Sequence, residues 1–209
     1  MERKKAAGTI RNAERSKKRL LEAVGKIITE TGFSTLKINH IAAVAGLDKT
    51  LIYSHFGGLD KLLEEYLLSQ NFWDNIKKNN MPATILDGGR AFSKEAILNH
   101  YEFVNNHPEF QKILLWGLSE QRDALKNLTW QQEASGELLF QHITDPYFKD
   151  KASDFRSIIA ILIAGSYYLN LHATYNGVPF CGIDLTQENG RKKIEESLLF
   201  LIDRAYDNL

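Results

Sequence analysis

The sequence has few of the residues that mark a disulfide-linked, cysteine-rich or β-rich protein. Cys181 is the one cysteine, which excludes an intrachain disulfide and a cysteine-rich zinc site. Four prolines in 209 residues, with few alternating β-branched runs, favour helices. The longest strongly apolar run, residues 158–165, has eight residues, whereas a membrane-spanning helix needs about 20. No apolar stretch follows the basic first residues, so we expect a cytoplasmic protein without a secretory signal or membrane segment.

The chain also lacks net charge, because 26 Lys and Arg residues balance 26 Asp and Glu residues. The two signs are nevertheless unevenly distributed. Residues 1–61 hold 12 basic and 6 acidic residues, a net charge of +6, and residues 62–209 hold 14 and 20, a net charge of −6. Such asymmetry is typical of a chain in which one part meets nucleic acid. We therefore predict two domains, residues 1–61 and residues 62–209.

A basic arm opens the first domain, since eight of the first 19 residues are Lys or Arg. Such an arm can follow phosphates or enter the minor groove of DNA. The alternative is a solvated, disordered tail. The basic residues are Arg3, Lys4, Lys5, Arg11, Arg15, Lys17, Lys18 and Arg19.

After the arm, apolar residues recur at helical spacing along most of the chain. We predict an all-α fold, with an N-terminal three-helix helix-turn-helix DNA-binding domain and a C-terminal helical ligand-binding and dimerisation domain. The expected helices cover about residues 20–31, 38–45, 49–56, 59–78, 94–106, 108–143, 152–175 and 186–207.

Residues 38–53 have the pattern of a helix-turn-helix. Ala42 is small enough for two helices to cross closely, Gly46 suits the positive φ of the turn, and Leu47 is its apolar plug. The short second helix would direct its polar side chains into a major groove. The alternative is an ordinary turn in a helical bundle. The expected DNA-binding residues are Thr35, Lys37, Lys49, Thr50, Leu51, Tyr53, Ser54 and His55.

Residues 20–63 resemble the tetracycline-repressor (TetR) family of bacterial transcription regulators. The likeness is carried by Ile41-Ala42, Ala45-Gly46-Leu47 and, most of all, the run from Leu51 to Phe56. The resemblance implies that Lys49 touches phosphate and that the rings of Tyr53 and His55 lie along the DNA backbone. For His55, a cap on helix-end carbonyls is the alternative.

Three positions depart from the family pattern. Lys37 stands where Thr or Ser often caps the second helix, and Leu51 replaces a common Thr. Gly58-Leu59 stands where Ser-Lys is common, so a phosphate-binding lysine is missing. These departures affect which residues would contact DNA. They also leave open the alternative that the DNA-binding domain has degenerated.

The second domain is rich in aromatic residues, with 19 of the 22 aromatics of the chain. Most are expected in the core, but some combine a ring with a polar group, as a small-molecule site needs. The family resemblance implies such a pocket in this domain. The candidate ligand-binding residues are His100, Phe103, Trp116, Trp130, Tyr167, Tyr168, His172 and Tyr175.

The predicted helix over residues 152–175 is apolar on nearly all sides between Ile158 and Ala164. A helix without a polar face must be covered on both sides. The second cover is either a partner subunit, as the family layout implies, or the core of the same subunit. The candidate dimer-interface residues are Ile158, Ile161, Leu162, Gly165, Ile194, Leu198 and Leu201.

Enzymatic and metal-binding patterns are not evident. His100 and His107 are seven residues apart, about 10 Å along one helix, so they cannot share a metal ion unaided. No nucleophile–base order, Gly-rich phosphate loop or carboxylate pair stands out. We therefore expect no catalysis, no metal site and no cofactor.

Together these patterns predict a ligand-responsive, DNA-binding transcriptional regulator. In its simplest form it is a repressor that a small apolar or aromatic effector releases from a palindromic operator. Its partners would be double-stranded operator DNA, the small-molecule effector and a second copy of the chain. The alternative is a helical small-molecule sensor or carrier whose degenerate DNA-binding domain acts through protein partners.

Overall fold

The computed structural model describes residues 2–69 and 85–209, with side chains from residue 11 onward. Within these ranges all regular elements are helical, which confirms the all-α prediction. An isolated antiparallel bridge joins Phe180 and Ile183. The α-helices are α1 (Glu2–Thr31), α2 (Ile38–Ala45), α3 (Thr50–Phe56), α4 (Leu59–Leu68), α5 (Arg90–Asn106), α6 (Pro108–Ser119), α7 (Asp123–Leu139), α8 (Asp145–Phe148), α9 (Ala152–Tyr175) and α10 (Glu188–Asn208).

The chain divides into two compact units that are discontinuous in sequence. In the described part, the first unit comprises residues 2–69 and 112–130, and the second comprises residues 85–111 and 131–209. The division falls within α6 and α7, so each of these helices supplies residues to both units. This arrangement differs from the predicted division at residue 61, which is a single point along the chain.

Helix α1 includes the whole basic arm, since it begins at Glu2. We predicted a separate arm ahead of a helix near residue 20. Residues 2–19 lack proline and are rich in Ala, Lys, Arg and Glu, which have high helix propensity, so the helix extends through them. It ends at Thr31, where Gly32 has a φ of +82°, in agreement with the expected stop.

The first unit has a hydrophobic core between α1, α2, α3 and α4. Leu20, Val24 and Ile28 of α1 are fully buried in it. Phe33, just after α1, stacks on Trp116 of α6 with ring centroids 5.5 Å apart. The residues of α6 and α7 that complete this core are Ile113, Trp116, Ala124, Leu125 and Leu128.

In the second unit, α9 and α10 both pack against α5. At the edge of this packing, Asp203 accepts 2.8 Å hydrogen bonds from Arg90 and Lys94. Inside it, Asn170 Nδ2 donates to the carbonyl of Tyr101 at 3.2 Å. The core residues are Ile97, Tyr101, Phe148, Phe155, Ile159, Leu162, Leu198, Ile202, Ala205 and Tyr206.

Several helix boundaries differ from the predicted ones. The predicted segment 108–143 is two helices, α6 and α7, followed by a π-helical turn, Phe140–Thr144. Pro146 lies in the first turn of α8, where a proline is tolerated because no backbone N–H is needed. Helix α5 begins at Arg90, before the predicted residue 94. The predicted continuation of α4 to residue 78 lies outside the described residues.

Candidate functional sites

The turn between α2 and α3 has the geometry that the sequence predicts. Gly46 is left-handed, with φ of +61°. The backbone N–H of Leu47 donates to the carbonyl of Ala42 at 3.0 Å, which closes the end of α2. The Leu47 side chain packs against the core of the first unit. This confirms the helix-turn-helix.

Arg19 holds this turn from α1. One of its guanidinium nitrogens donates to the carbonyl of Ala45 at 2.6 Å and lies 3.4 Å from that of Gly46. A cation at the carbonyl end of α2 also complements the helix dipole. Arg19 therefore differs from the prediction for the basic arm, since its charge is directed at the protein backbone and not outward.

Helix α3 begins with a side-chain cap from Asp48. The Asp48 carboxylate accepts hydrogen bonds from the Thr50 hydroxyl at 2.6 Å and from the Thr50 backbone N–H at 2.8 Å. These two bonds, the hydroxyl's first, hold the pKa of Asp48 below its ordinary value. Thr50 is exposed, but its hydroxyl proton is already donated within the cap.

The remaining side chains of α3 divide into an inner and an outer face. Ile52 and Phe56 are buried in the core, as predicted. Tyr53 is 55% exposed, and Lys49 and Ser54 are exposed beside it. The short helix therefore presents a cation, a phenol and a hydroxyl to solvent.

Two predicted contact residues of α3 have contacts inside the unit. Leu51 is partly buried and packs against the core. The ring of His55 is half-buried, with Nε2 2.6 Å from the hydroxyl oxygen of Ser16, which itself donates to the carbonyl of Ala13 at 2.9 Å. His55 thus links α3 to α1, a contact that neither of its two predicted roles included.

Thr35 and Lys37 lie just before α2. The Thr35 hydroxyl donates to the carbonyl of Gly32 at 3.0 Å. Lys37 is exposed at the N-cap position of α2, without a side-chain capping bond. As its chemistry predicts, the lysine makes no capping bond to α2, and its side chain is exposed to solvent.

A separate cavity of about 150 Å³ lies within the second unit. It is bounded by α5, α7, the π-helical turn and α9. Three of its wall residues are phenylalanines, and Glu133, the one charged residue of the wall, is itself exposed. The lining residues are Phe92, Ser93, Ala96, Ile97, Gln132, Glu133, Gly136, Leu139, Phe140, Thr144, Phe155, Ile159, Ile163 and Tyr167.

Two polar side chains of this wall, Ser93 and Tyr167, are uncharged. The Ser93 hydroxyl lies 3.3 Å from the hydroxyl of Tyr206. Burial, with a further contribution from Glu133, raises the pKa of Tyr167 to about 12. Arg156 lies behind Phe140, with its guanidinium carbon 4.9 Å from the centre of the phenylalanine ring. Its charge is paired with Glu137 and Asp145. The cavity is therefore mostly apolar, with few hydrogen-bonding groups.

Of the eight predicted ligand-binding residues, Tyr167 alone lines this cavity. His100 lies next to it, with ring centroids 4.9 Å apart. Phe103 packs on His107 and Phe110 instead. Tyr168 and His172 pack on the ring of Phe180, and Tyr175 is 40% exposed.

The two predicted tryptophans belong to the first unit and not to the cavity. Trp116 is 1% exposed in the core of that unit, where it donates a 2.7 Å hydrogen bond to Glu120. Trp130 is 73% exposed. Helical periodicity shows that α6 and α7 bury a face, but it does not show which unit receives each part of a long helix.

The sequence pattern missed most of the cavity wall. Phe92 and Ser93 lie in a segment that was predicted as a break, although Phe92, Ala96 and Ile97 have helical spacing. Thr144 was assigned no role, because its position depends on the π-helical turn. The helical spacing of the sequence therefore indicated the start of α5, whereas nothing in the sequence indicated the π-helical turn.

His100 is buried and its pKa is lowered to about 4 by that burial. The unfolded chain takes up this proton near pH 6.5 and the folded chain only near pH 4. As the pH is lowered from about 6.5 to about 4, we expect the free energy of unfolding to fall by about 1.4 kcal/mol per pH unit. The H100F variant should not show this additional loss. Urea titrations of both proteins at several pH values test this, and parallel pH dependences would contradict it.

Two of the seven predicted dimer-interface residues, Leu162 and Leu198, are buried in the core of the second unit. Leu162 is on the inward face of α9 and Leu198 on that of α10, so neither side chain is available at the surface. Ile161 is 70% and Leu201 43% exposed, with Gly165 half-buried. Ile158 and Ile194 are partly buried against the core.

An apolar surface remains on the outer sides of α9 and α10. Tyr168 is 52% and Phe200 58% exposed, and neither was predicted at an interface.

The helical stretch Asp123–Tyr175 contains a window apolar enough to span a membrane by length and composition, with mean hydropathy 1.3 and 17% of it buried. A core helix of a soluble protein meets the same criterion.

Among the described residues, no group of three His, Cys, Asp or Glu side chains could hold a metal ion.

The helix-turn-helix region matches a known family. The family model of bacterial regulatory proteins, tetR family, matches residues 20–66. These residues extend from the first buried leucine of α1 into α4 and include every element of the turn described above. Residues 20–66 of this chain are therefore similar to the tetR family.

Relatives extend the likeness beyond that region. The HTH-type transcriptional repressor NicS of Pseudomonas putida is 25% identical over 114 residues, which are 54% of this chain and 53% of NicS. The match thus spans about half the length of that relative.

Solved structures have the same fold along most of the chain. NalD, the secondary repressor of the MexAB-OprM multidrug efflux pump in Pseudomonas aeruginosa, is similar with a TM-score of 0.64 and 16% identity, over 92% of this chain and 96% of NalD. The multidrug binding protein EbrR, solved with imidazole, has a TM-score of 0.56 and 19% identity, over 88% of this chain and 93% of EbrR. These likenesses show that the fold is shared along most of the chain.

Proposed function

We propose that this chain is a DNA-binding transcriptional repressor of the tetR family. The observation that carries the proposal is α3, which buries Ile52 and Phe56 and leaves Lys49, Tyr53 and Ser54 exposed on a capped, short helix. A helix of this kind can enter a major groove with its polar face. NicS, the matched relative, is named a repressor, which favours repression over activation.

Each exposed side chain has a proposed role on DNA. Lys49 and Lys37 bind phosphates by charge, and the ring of Tyr53 lies along the sugar–phosphate backbone with its hydroxyl on a phosphate. Ser54 contacts a base edge or a phosphate. Thr35, Thr50, Leu51 and His55 shape the surface around them, because their side chains have contacts within the unit.

We also propose that the active form is a homodimer. Isolated apolar side chains on a surface are ordinary, but Ile161, Tyr168, Phe200 and Leu201 lie on two long helices of one unit. A second copy that covers these helices buries the same surface of both chains, as a twofold interface does. A dimer would place two α3 helices on a near-palindromic operator, about one DNA turn or a multiple of it apart.

The cavity of the second unit is the proposed effector site. Its size and its apolar wall suit a small aromatic molecule. A ligand that binds one conformer of the dimer better than another shifts the population toward it. If that conformer spaces its α3 helices wrongly for the operator, DNA affinity falls by the coupling free energy.

The second candidate function is a small-molecule sensor that no longer binds DNA. Two observations favour it: Lys37 makes no capping bond, and Leu59 begins α4 where the family often has a lysine. This candidate predicts ligand binding and dimerisation without an operator complex. It also predicts that changes at Lys49 and Tyr53 alter neither property.

An electrophoretic shift on the DNA upstream of the chain's own gene tests the proposed function. We expect a discrete complex that a scrambled duplex of equal length does not compete away. No specific complex at any salt concentration would contradict the proposal.

The salt dependence of that complex is a further prediction. If a dimer contacts six to eight phosphates, log K should fall with log salt with a slope of about −5 to −7. Because Arg19 is bound to the carbonyl of Ala45, it should contribute nothing to this slope. Fluorescence anisotropy between about 50 and 300 mM salt measures the slope of log K against log salt. A slope near zero would show that phosphates are not the main contact.

A further inference from the structure

The wall that α7 contributes to the cavity of the second unit has a glycine at its centre. Gln132, Glu133, Gly136 and Leu139 of α7 all line this cavity. At about 100° of rotation per residue, the other three lie within about 60° of Gly136 around the helix axis. The face of α7 that meets the cavity is therefore centred on Gly136, and a side chain at this position would point into the cavity.

Neither of the usual structural reasons for a glycine applies to Gly136. It lies inside α7 with a negative φ, unlike Gly88 and Gly89 of the same unit, whose φ values are positive. Apart from the nearby backbone of α7, no described atom lies within 4 Å of the place that a Cβ would take. At Gly89, by comparison, a Cβ would lie 2.5 Å from the Cγ2 methyl of Ile143. Because glycine lowers the stability of a helix relative to alanine, the fold would tolerate a side chain at position 136 and gain from it.

The size of the cavity indicates what the open space at Gly136 can hold. A volume of about 150 Å³ is that of a cavity which holds one benzene-sized ring. Phe92, Phe140 and Phe155 supply apolar rings to the wall, and aromatic rings pack favourably against one another. Since Gly136 has no side chain, a ring in the cavity can approach the backbone of α7 there.

The charge of the wall restricts the ligand further. Among the described residues, no Lys or Arg lines the cavity, and Glu133 is the one charged residue of the wall. An anion in the cavity would be without a counter-charge, which is unfavourable for a buried group. It would also be repelled by the Glu133 carboxylate. The wall therefore favours a ligand without a negative charge.

We propose that Gly136 is the size-determining residue of this cavity and that it admits a benzene-sized aromatic ligand without a negative charge. The ring fills the space that a larger side chain at position 136 would occupy. Gly136 thus determines specificity through the room that it leaves and not through a bond to the ligand. The inference rests on the proposed effector role of the cavity, and it names the ligand class and the residue that limits ligand size.

Benzene and benzoate are the probes that test this inference, because they share a ring and differ in charge. Calorimetric titration of the full chain without DNA should detect benzene binding, with an affinity at least about tenfold above that of benzoate. In G136A, benzene should bind about tenfold more weakly, because the added methyl overpacks the filled cavity. In G136L, the side chain takes the place of the ring, and benzene binding should be lost.

The stability of the ligand-free proteins provides a second readout. G136A without ligand should have a higher melting temperature than the unchanged protein, because alanine favours the helix and its methyl has open space. G117A is the matched control, since Gly117 is an exposed glycine of α6 with open space at its Cβ and does not line the cavity. G117A should retain the benzene affinity of the unchanged protein within about twofold.

The outcomes separate this inference from the proposed function. No benzene binding by the unchanged protein, an unchanged benzene affinity in G136A, or benzoate binding as tight as that of benzene would overturn it. A lower melting temperature of G136A would show that position 136 lacks open space, and it would overturn the inference as well. If the results for G136A and G136L hold but benzene leaves the operator complex intact, the effector role fails and the role of Gly136 stands.

Discussion

The double variant K49A/Y53A is expected to lose specific operator binding while it remains folded. At about 1 kcal/mol for each lost contact, two contacts in each of two subunits amount to about 4 kcal/mol, roughly a thousandfold in Kd. The salt slope should become shallower by about 2, one unit for each Lys49 of the dimer. Fluorescence anisotropy with labelled operator DNA measures both quantities.

K126A is the matched control, since Lys126 is an exposed lysine of the same unit outside the helix-turn-helix. It should bind the operator within about twofold of the unchanged protein. The free energy of unfolding of the double variant should lie within about 0.5 kcal/mol of that of the unchanged protein, because both altered side chains are exposed. An operator affinity that K49A/Y53A leaves unchanged would contradict the roles of Lys49 and Tyr53. The absence of a specific complex in all three proteins would favour the sensor without DNA binding.

W116A is expected to destabilise the first unit by about 3–5 kcal/mol, as the loss of a buried tryptophan does. The variant loses the stacking on Phe33, the contacts of a side chain that is 1% exposed, and the hydrogen bond to Glu120. Urea unfolding followed by circular dichroism measures the change. At a temperature where W116A is folded, the affinity of the cavity in the second unit for a small aromatic probe such as benzene should be unchanged, since Trp116 does not line that cavity.

W130A provides the comparison for this large effect. Trp130 is on α7 in the same unit and is 73% exposed. Its removal should change the free energy of unfolding by no more than about 0.5 kcal/mol. If W116A were as stable as W130A, or if it lost ligand affinity while folded, Trp116 would belong to a binding site and not to the core.

The helix-turn-helix was predictable because its information is local. The positive φ at Gly46, the cap at Asp48 and the inward positions of Ile52 and Phe56 follow from residue types at short spacing. Local rules also predicted the end of α1 at Thr31. The arm was only partly predictable, since its charge suggested a tail although its composition favours a helix.

The cavity was less predictable because its wall is assembled from distant segments. Tyr167 could be selected as an aromatic residue with a polar group, but Thr144 depends on a change of helical register at residues 140–144. Trp116 has the same residue type as a ligand-binding side chain and is buried in the other unit. Residue type and periodicity do not specify which elements a long helix meets.

The charge of the chain also has to be read by position. A net charge of zero gives no indication of DNA binding, whereas the +6 and −6 segments do. Within the positive segment, the direction of each charge decides its role. Lys49 is exposed to solvent, and Arg19 is bound to the turn.

Hydroxyl-radical footprinting on the DNA upstream of the chain's own gene tests the central claim most directly, because it locates the protein on each strand. A dimer that reads DNA with two α3 helices should protect two patches whose centres lie about 10–10.5 base pairs, or a multiple of that, apart. The patches should be related by a near-palindrome and should disappear with K49A/Y53A. Uniform protection along the fragment, or two patches that persist in that variant, would contradict the account.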